Sequence, residues 1–87
     1  NEWSDVTIAT GLGNSRNLAV VSSADVVVAV GGGWGTLSEI GLAGVVGRPV
    51  VLLAGWRLEH TGRMPGEISY AETAEEALEL AARLAGA

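Results

Sequence analysis

Eighty-seven residues make one domain at most, and one that buries a smaller share of its surface than a domain of ordinary size. The absence of cysteine excludes disulfides, thiolate metal sites and cysteine nucleophiles. Ten acidic residues against five arginines and no lysine give a net charge of −5, which argues against broad contact with nucleic acid backbones or anionic membranes and leaves small molecules as the expected partners.

The chain begins at Asn1, and neither end carries the charged, apolar and small-residue pattern of a signal peptide. The apolar runs at Val26 to Val30 and Val50 to Leu53 are too short to span a bilayer. The expectation is a soluble, cytoplasmic protein of which residues 1–87 form a single domain fragment.

In chain order, β-branched residues first cluster at Val6 to Thr10, predicting a strand. Asn14 to Ala24 reads as a helix with Asn14 at its N-cap and Leu18, Val21 and Ala24 at helical spacing. A second strand is predicted at Val26 to Val30. Thr36 to Val46 reads as a helix with Leu37, Ile40, Gly41 and Val45 on its apolar side, stopped by Gly47 and blocked by Pro49. The third strand is Val50 to Leu53, and its run, like the second, is apolar almost throughout, as expected of parallel strands covered on both faces. A polar loop from Gly55 to Gly66 leads to a short strand at Ile68 to Ala71. The last helix starts at Thr73, where Thr73 and Glu76 form a capping box, with Ala77, Leu78, Leu80, Ala81 and Leu84 on its apolar side. The alternation predicts an α/β fold, a Rossmann-like open parallel sheet with flanking helices. Ligands of such sheets sit beyond the carboxyl ends of the strands.

The stretch VVVAVGGGWGTLSE, residues 26 to 39, occupies one of those ends. Gly31, Gly32, Gly33 and Gly35 free the backbone and remove side chains that would hold a ligand off it, and the following helix directs N–H groups and its positive dipole end at the same space. An anion suits that space, but so does a tight turn that only packs helix on strand with Thr36 as N-cap. A P-loop is excluded because no lysine follows the glycines, and GxGxxG does not occur there. Glu39 either serves the helix end, through the dipole or a capping box with Thr36, or faces the same ligand. Arg16, after the GLGN turn, projects from the same sheet edge, and its rigid fork of donors suits phosphate. A solvated surface arginine is the plain alternative.

Arg16, Asp25 and the run GGGWGTLSE ending in Glu39 together resemble the Lonely Guy (LOG) family of nucleoside 5′-monophosphate phosphoribohydrolases, whose signature is an arginine on the preceding helix followed by PGGxGTxxE. Within that group the chain is similar to LOG-like proteins with GMGxARN and GGGxGTLSE, here GLGNSRN, which also resemble molybdenum-cofactor carrier proteins. The match covers Thr10 to Pro49 and identifies the chain with the C-terminal half of such a domain, the N-terminal half being absent. The resemblance implies catalysis by Arg16 and Glu39 at the ribose and its glycosidic bond, and phosphate or nucleotide binding by Gly31, Gly32, Gly33, Trp34, Gly35 and Thr36. It implies no metal and no cofactor for hydrolysis; in the carrier reading, molybdopterin or a nucleotide is bound and kept. Gly31 in place of proline and Asn17 in place of the family's lysine mark a departure from the better-defined hydrolases.

Among the remaining signals, Trp34 suits either stacking on a base or packing against a neighbouring subunit of a homo-oligomer, the second being preferred. Trp56 and Arg57 are placed to line the same pocket or simply to anchor their loop. His60 is expected in solvent and Asp25 at a turn, while Glu72, Glu75, Glu76 and Glu79 suit the start of the last helix.

Overall fold

The computed structural model describes residues 5–11 and 21–86. Four strands, β1 (Val6–Ala9), β2 (Val26–Gly31), β3 (Val50–Gly55) and β4 (Ile68–Ala71), lie side by side in that order, and all three pairings are parallel. Two helices are described in full, α1 (Trp34–Val46) and α2 (Ala74–Leu84). The chain is a small α/β domain with a parallel sheet flanked by helices, the Rossmann-like arrangement that the alternation of elements predicts. Most of the predicted Asn14 to Ala24 helix, with its N-cap Asn14, lies outside the described residues; residues 21–23 are helical.

The apolar runs explain the layers. Side chains alternate across β2, so Val27 and Ala29 enter one core with Ile40 and Ala43 of α1, and Val26 and Val28 enter another with Ala77 and Ala81 of α2. Val26, Val27 and Val51 expose nothing, which is why β2 and β3 carry no polar positions in their centres. Each such valine contributes about 1.5–3 kcal/mol of burial. At the amino end of the sheet, Asp25 serves the turn as expected: its Oδ2 accepts from the Asp5 backbone N–H at 2.7 Å and its own N–H donates to the Asp5 carbonyl at 2.8 Å.

Two expectations about α1 need correction. The helix starts at Trp34, with Gly33 as N-cap, so Thr36 is not the cap and forms no capping box with Glu39. The glycine at position 33 takes the extended N-cap geometry without a side-chain bond, which lets the helix begin two residues inside the expected loop. The buried side is also different: Thr36, Glu39, Ile40 and Ala43 face inward, while Gly41 and Val45 are exposed. A helix whose one charged residue is buried and whose outer face carries none gives periodicity little to work on.

The stop is as expected. Gly47 takes a left-handed φ of 78°, its N–H donates to the Gly44 carbonyl at 3.3 Å, and Arg48 N–H returns to Ala43 at 2.8 Å. On α2, Thr73 Oγ1 accepts from Glu76 N–H at 3.1 Å, and Glu76 Oε1 reaches back to Glu72 N–H at 2.7 Å, one residue before the usual box partner. Leu78, expected on the apolar side, is exposed, and Ala77 and Ala81 make the buried contact.

Candidate functional site

The carboxyl ends of β1, β2 and β3 meet around residues 31–36. Gly31 has a φ of 95°, and the pairing of β2 with β3 shifts register between Val30 and Gly31, so that Gly31 lies opposite Gly55 with Ala54 left over. The left-over Ala54 takes a φ of 55°, a left-handed geometry that costs an alanine about 1–2 kcal/mol. The bulge brings Gly55 onto the main chain of Gly31 and Gly32, so closely that a Cβ on Gly55 would overlap the Gly31 carbonyl. Trp56 follows directly, and its indole N–H donates to the Gly33 carbonyl at 3.0 Å.

The β1 side is fastened in the same way. Gly11 lies against Gly35 and Thr36, and a Cβ on Gly35 would overlap the Gly11 carbonyl oxygen. Glu39, only 7% exposed, accepts the Gly11 N–H through Oε1 at 2.9 Å. The bond supplies a buried carboxylate with a donor and a buried N–H with an acceptor, both of which are costly to leave unpaired. Glu39 sits in the second turn of α1, facing the end of β1. Thr36, 1% exposed, donates its hydroxyl to the Val30 carbonyl at 3.3 Å, which fastens the helix start onto the end of β2.

Sequence reasoning did not pick out Gly11 and Gly55 as parts of this site, although each is the glycine that ends or follows a strand run. Gly33 differs from both. Its φ of −78° suits any residue and no atom of the described residues lies within 4 Å of where a Cβ would stand, so among those residues neither backbone strain nor close packing calls for glycine there. Of the predicted site residues, Gly31, Gly32, Gly33, Trp34, Gly35, Thr36 and Glu39 are together at one sheet edge. Arg16 lies outside the described residues.

Beyond Trp56, the ends of β3 and β4 border a cleft of ≈ 270 Å³ that includes Arg57, Tyr70 and Glu72 in its walls. The Arg57 guanidinium stands 4.5 Å from the centre of the Tyr70 ring, and the Tyr70 hydroxyl donates to the Leu58 carbonyl at 3.0 Å while accepting its N–H at 3.1 Å. Trp56 thus anchors its loop, as one of its two expected roles had it; the cleft that Trp56 and Arg57 line includes none of residues 31–36 and is not the pocket expected at the glycine loop. His60 is exposed, as expected. Among the described residues no cluster of three or more histidines and carboxylates could hold a metal, and no helix is long and apolar enough to cross a membrane.

A parallel sheet whose central strand runs through a glycine loop into a helix N-terminus defines a nucleotide-binding type of α/β topology. The chain belongs to the SLOG cluster4 family, whose model matches residues 1–83, and this establishes the relation to LOG-type domains. An uncharacterized protein of Archaeoglobus fulgidus is 40% identical over 67 residues, covering 70% of this chain and 44% of the relative. The chain therefore spans less than half the length of that curated relative. No solved structure matches it.

Proposed function

We propose that the chain forms the phosphate-binding side of a nucleotide site, in a protein that hydrolyses a nucleoside 5′-monophosphate to free base and ribose 5-phosphate. The observation that carries the reading is Gly33. The glycines at 35 and 55 answer to the packing of neighbouring backbone, whereas none of the described residues packs where a Cβ of Gly33 would stand, and a phosphate approaching the main chain supplies a reason for glycine at this N-cap. The backbone N–H groups at the start of α1 bind that phosphate in this reading, helped by the helix dipole. Departure of the base builds positive charge on the ribose; Glu39 stabilises that charge or takes a proton from the attacking water, whose oxygen joins C1′ while the base nitrogen gains a proton. Arg16 orients the sugar phosphate. The reading places the protein in the cytoplasm, as a homo-oligomer acting on a free nucleotide without a metal.

One observation favours a second reading. Glu39 already accepts the Gly11 N–H and is almost wholly buried, which fits a residue that fastens the site as well as one that works in it. The protein would then carry a phosphate-bearing cofactor such as molybdopterin without turning it over. Incubation of the intact protein with AMP and N6-modified AMP separates the two. Base release that disappears in Glu39→Gln supports hydrolysis; no release, together with a pterin or nucleotide found by mass spectrometry of the natively purified protein, supports carriage.

A further inference from the structure

Trp34 leaves 78% of its surface exposed, a costly position for the largest side chain of α1. It occupies the first helical position, between Gly33 and Gly35, in the helix start whose N–H groups are assigned above to phosphate. The ring of Trp56 lies 5.3 Å from it, centre to centre, at a tilt of 47°. Trp56 is fixed in turn, by its bond to the Gly33 carbonyl and by packing of its body against the core on the α1 side. The same Trp56 lines the cleft with Arg57 and Tyr70.

We propose that Trp34 and Trp56 form a ring-stacking subsite, which takes the aromatic heterocycle of a ligand whose phosphate the glycine loop holds. Two facts favour a ligand ring. One carbonyl, that of Gly33, ties the aromatic pair to the loop, so the surface for a ring and the donors for a phosphate keep a fixed separation, as recognition of a molecule carrying both requires. The other is exposure: Trp34 leaves most of its surface open, and the cleft beyond Trp56 has neither Trp34 nor residues 31–36 in its walls, so the open face of Trp34 is the surface that a ring can cover. The ligand class is a heterocycle on a sugar phosphate, and a bare sugar phosphate is the poorer ligand. This inference rests on the phosphate-binding reading and is indifferent to whether the ligand is cleaved or kept.

The test is calorimetric titration of the intact protein in a Glu39→Gln background, which suppresses turnover and keeps an oxygen to accept the Gly11 N–H. AMP and ribose 5-phosphate are the probes. AMP is expected to bind about tenfold tighter than ribose 5-phosphate, and Trp34→Ala to remove most of that advantage while leaving ribose 5-phosphate within about twofold, as the loss of one stacking face does. Trp34→Phe, which keeps a ring, is expected to stay within about threefold of the parent for AMP. An unchanged ratio of the two affinities in Trp34→Ala overturns the proposal. Altered sedimentation of Trp34→Ala with that ratio unchanged also overturns it and assigns the ring to an interface between copies. Binding of ribose 5-phosphate with no gain from the base defeats this inference alone; no binding of either probe removes the nucleotide reading and the subsite with it.

Discussion

Gly33 and Gly35 stand two residues apart at the start of α1, yet they answer to different forces, and substitution separates them. A methyl group on Gly35 meets the Gly11 carbonyl oxygen, which is backbone and cannot swing away, so Gly35→Ala is expected to destabilise the fold by about 1–3 kcal/mol or more. Gly33→Ala meets no atom of the described residues and needs no unusual φ; it is expected to change stability by less than about 1 kcal/mol, much as loss of a glycine cap does. Denaturant unfolding of both variants, with phosphate-ligand titration of the second, checks the pair. The Gly33→Ala protein should fold normally and bind AMP weakly; normal folding with undiminished AMP affinity would show that the loop is a turn and no more. These roles were only partly legible in the residues. GGGWGTLSE displayed the loop and Glu39, but not that Glu39 reaches Gly11, because a contact across 28 positions depends on the sheet register that carries the end of β1 past α1.

At the scale of elements, strands read well and helix faces less well. Three runs rich in β-branched residues became β1, β2 and β3 within one or two residues of expectation, since such runs bounded by glycine, proline or polar residues leave few alternatives. The bulge at Ala54 and Gly55 was not legible, because a register shift arises from a neighbouring strand and leaves no local pattern. Helix α1 misled because Glu39 is its only charged residue and is buried, so the usual polar face was missing. Helix α2 has both its cap and its charges: Glu75 and Glu76 in the first turn, Arg83 in the last. Its N-cap bond comes from the Thr73 hydroxyl, and Thr73→Ala is expected to cost about 1 kcal/mol in urea unfolding. Thr73→Asp, which keeps an acceptor at the cap, should recover most of that loss; equal destabilisation by both would remove the cap from the account.

For the whole molecule, β1 is a place where apolar side chains of the sheet lie exposed. Among the described residues β1 is the first strand of the sheet, paired on one side only with β2. Val6 and Ile8 point to the face that Val26 and Val28 share with α2, yet they are 39% and 58% exposed, since α2 lies over β2, β3 and β4. Apolar side chains on an edge strand invite pairing or cover. The A. fulgidus relative is more than twice the length of its matched part, so chain able to supply that cover exists in the family. We propose that in the intact protein further chain covers this face of β1 and completes the other wall of the site, of which the described residues supply the phosphate side. Ile8→Asp discriminates. On an open edge the substitution should stay within about 0.5 kcal/mol, as surface changes do. Under a covering element it buries a carboxylate without a partner and should cost the intact protein more than about 2 kcal/mol. Chemical unfolding of the intact protein reads the difference, and a near-neutral Ile8→Asp would leave β1 as a true edge and the site open on that side.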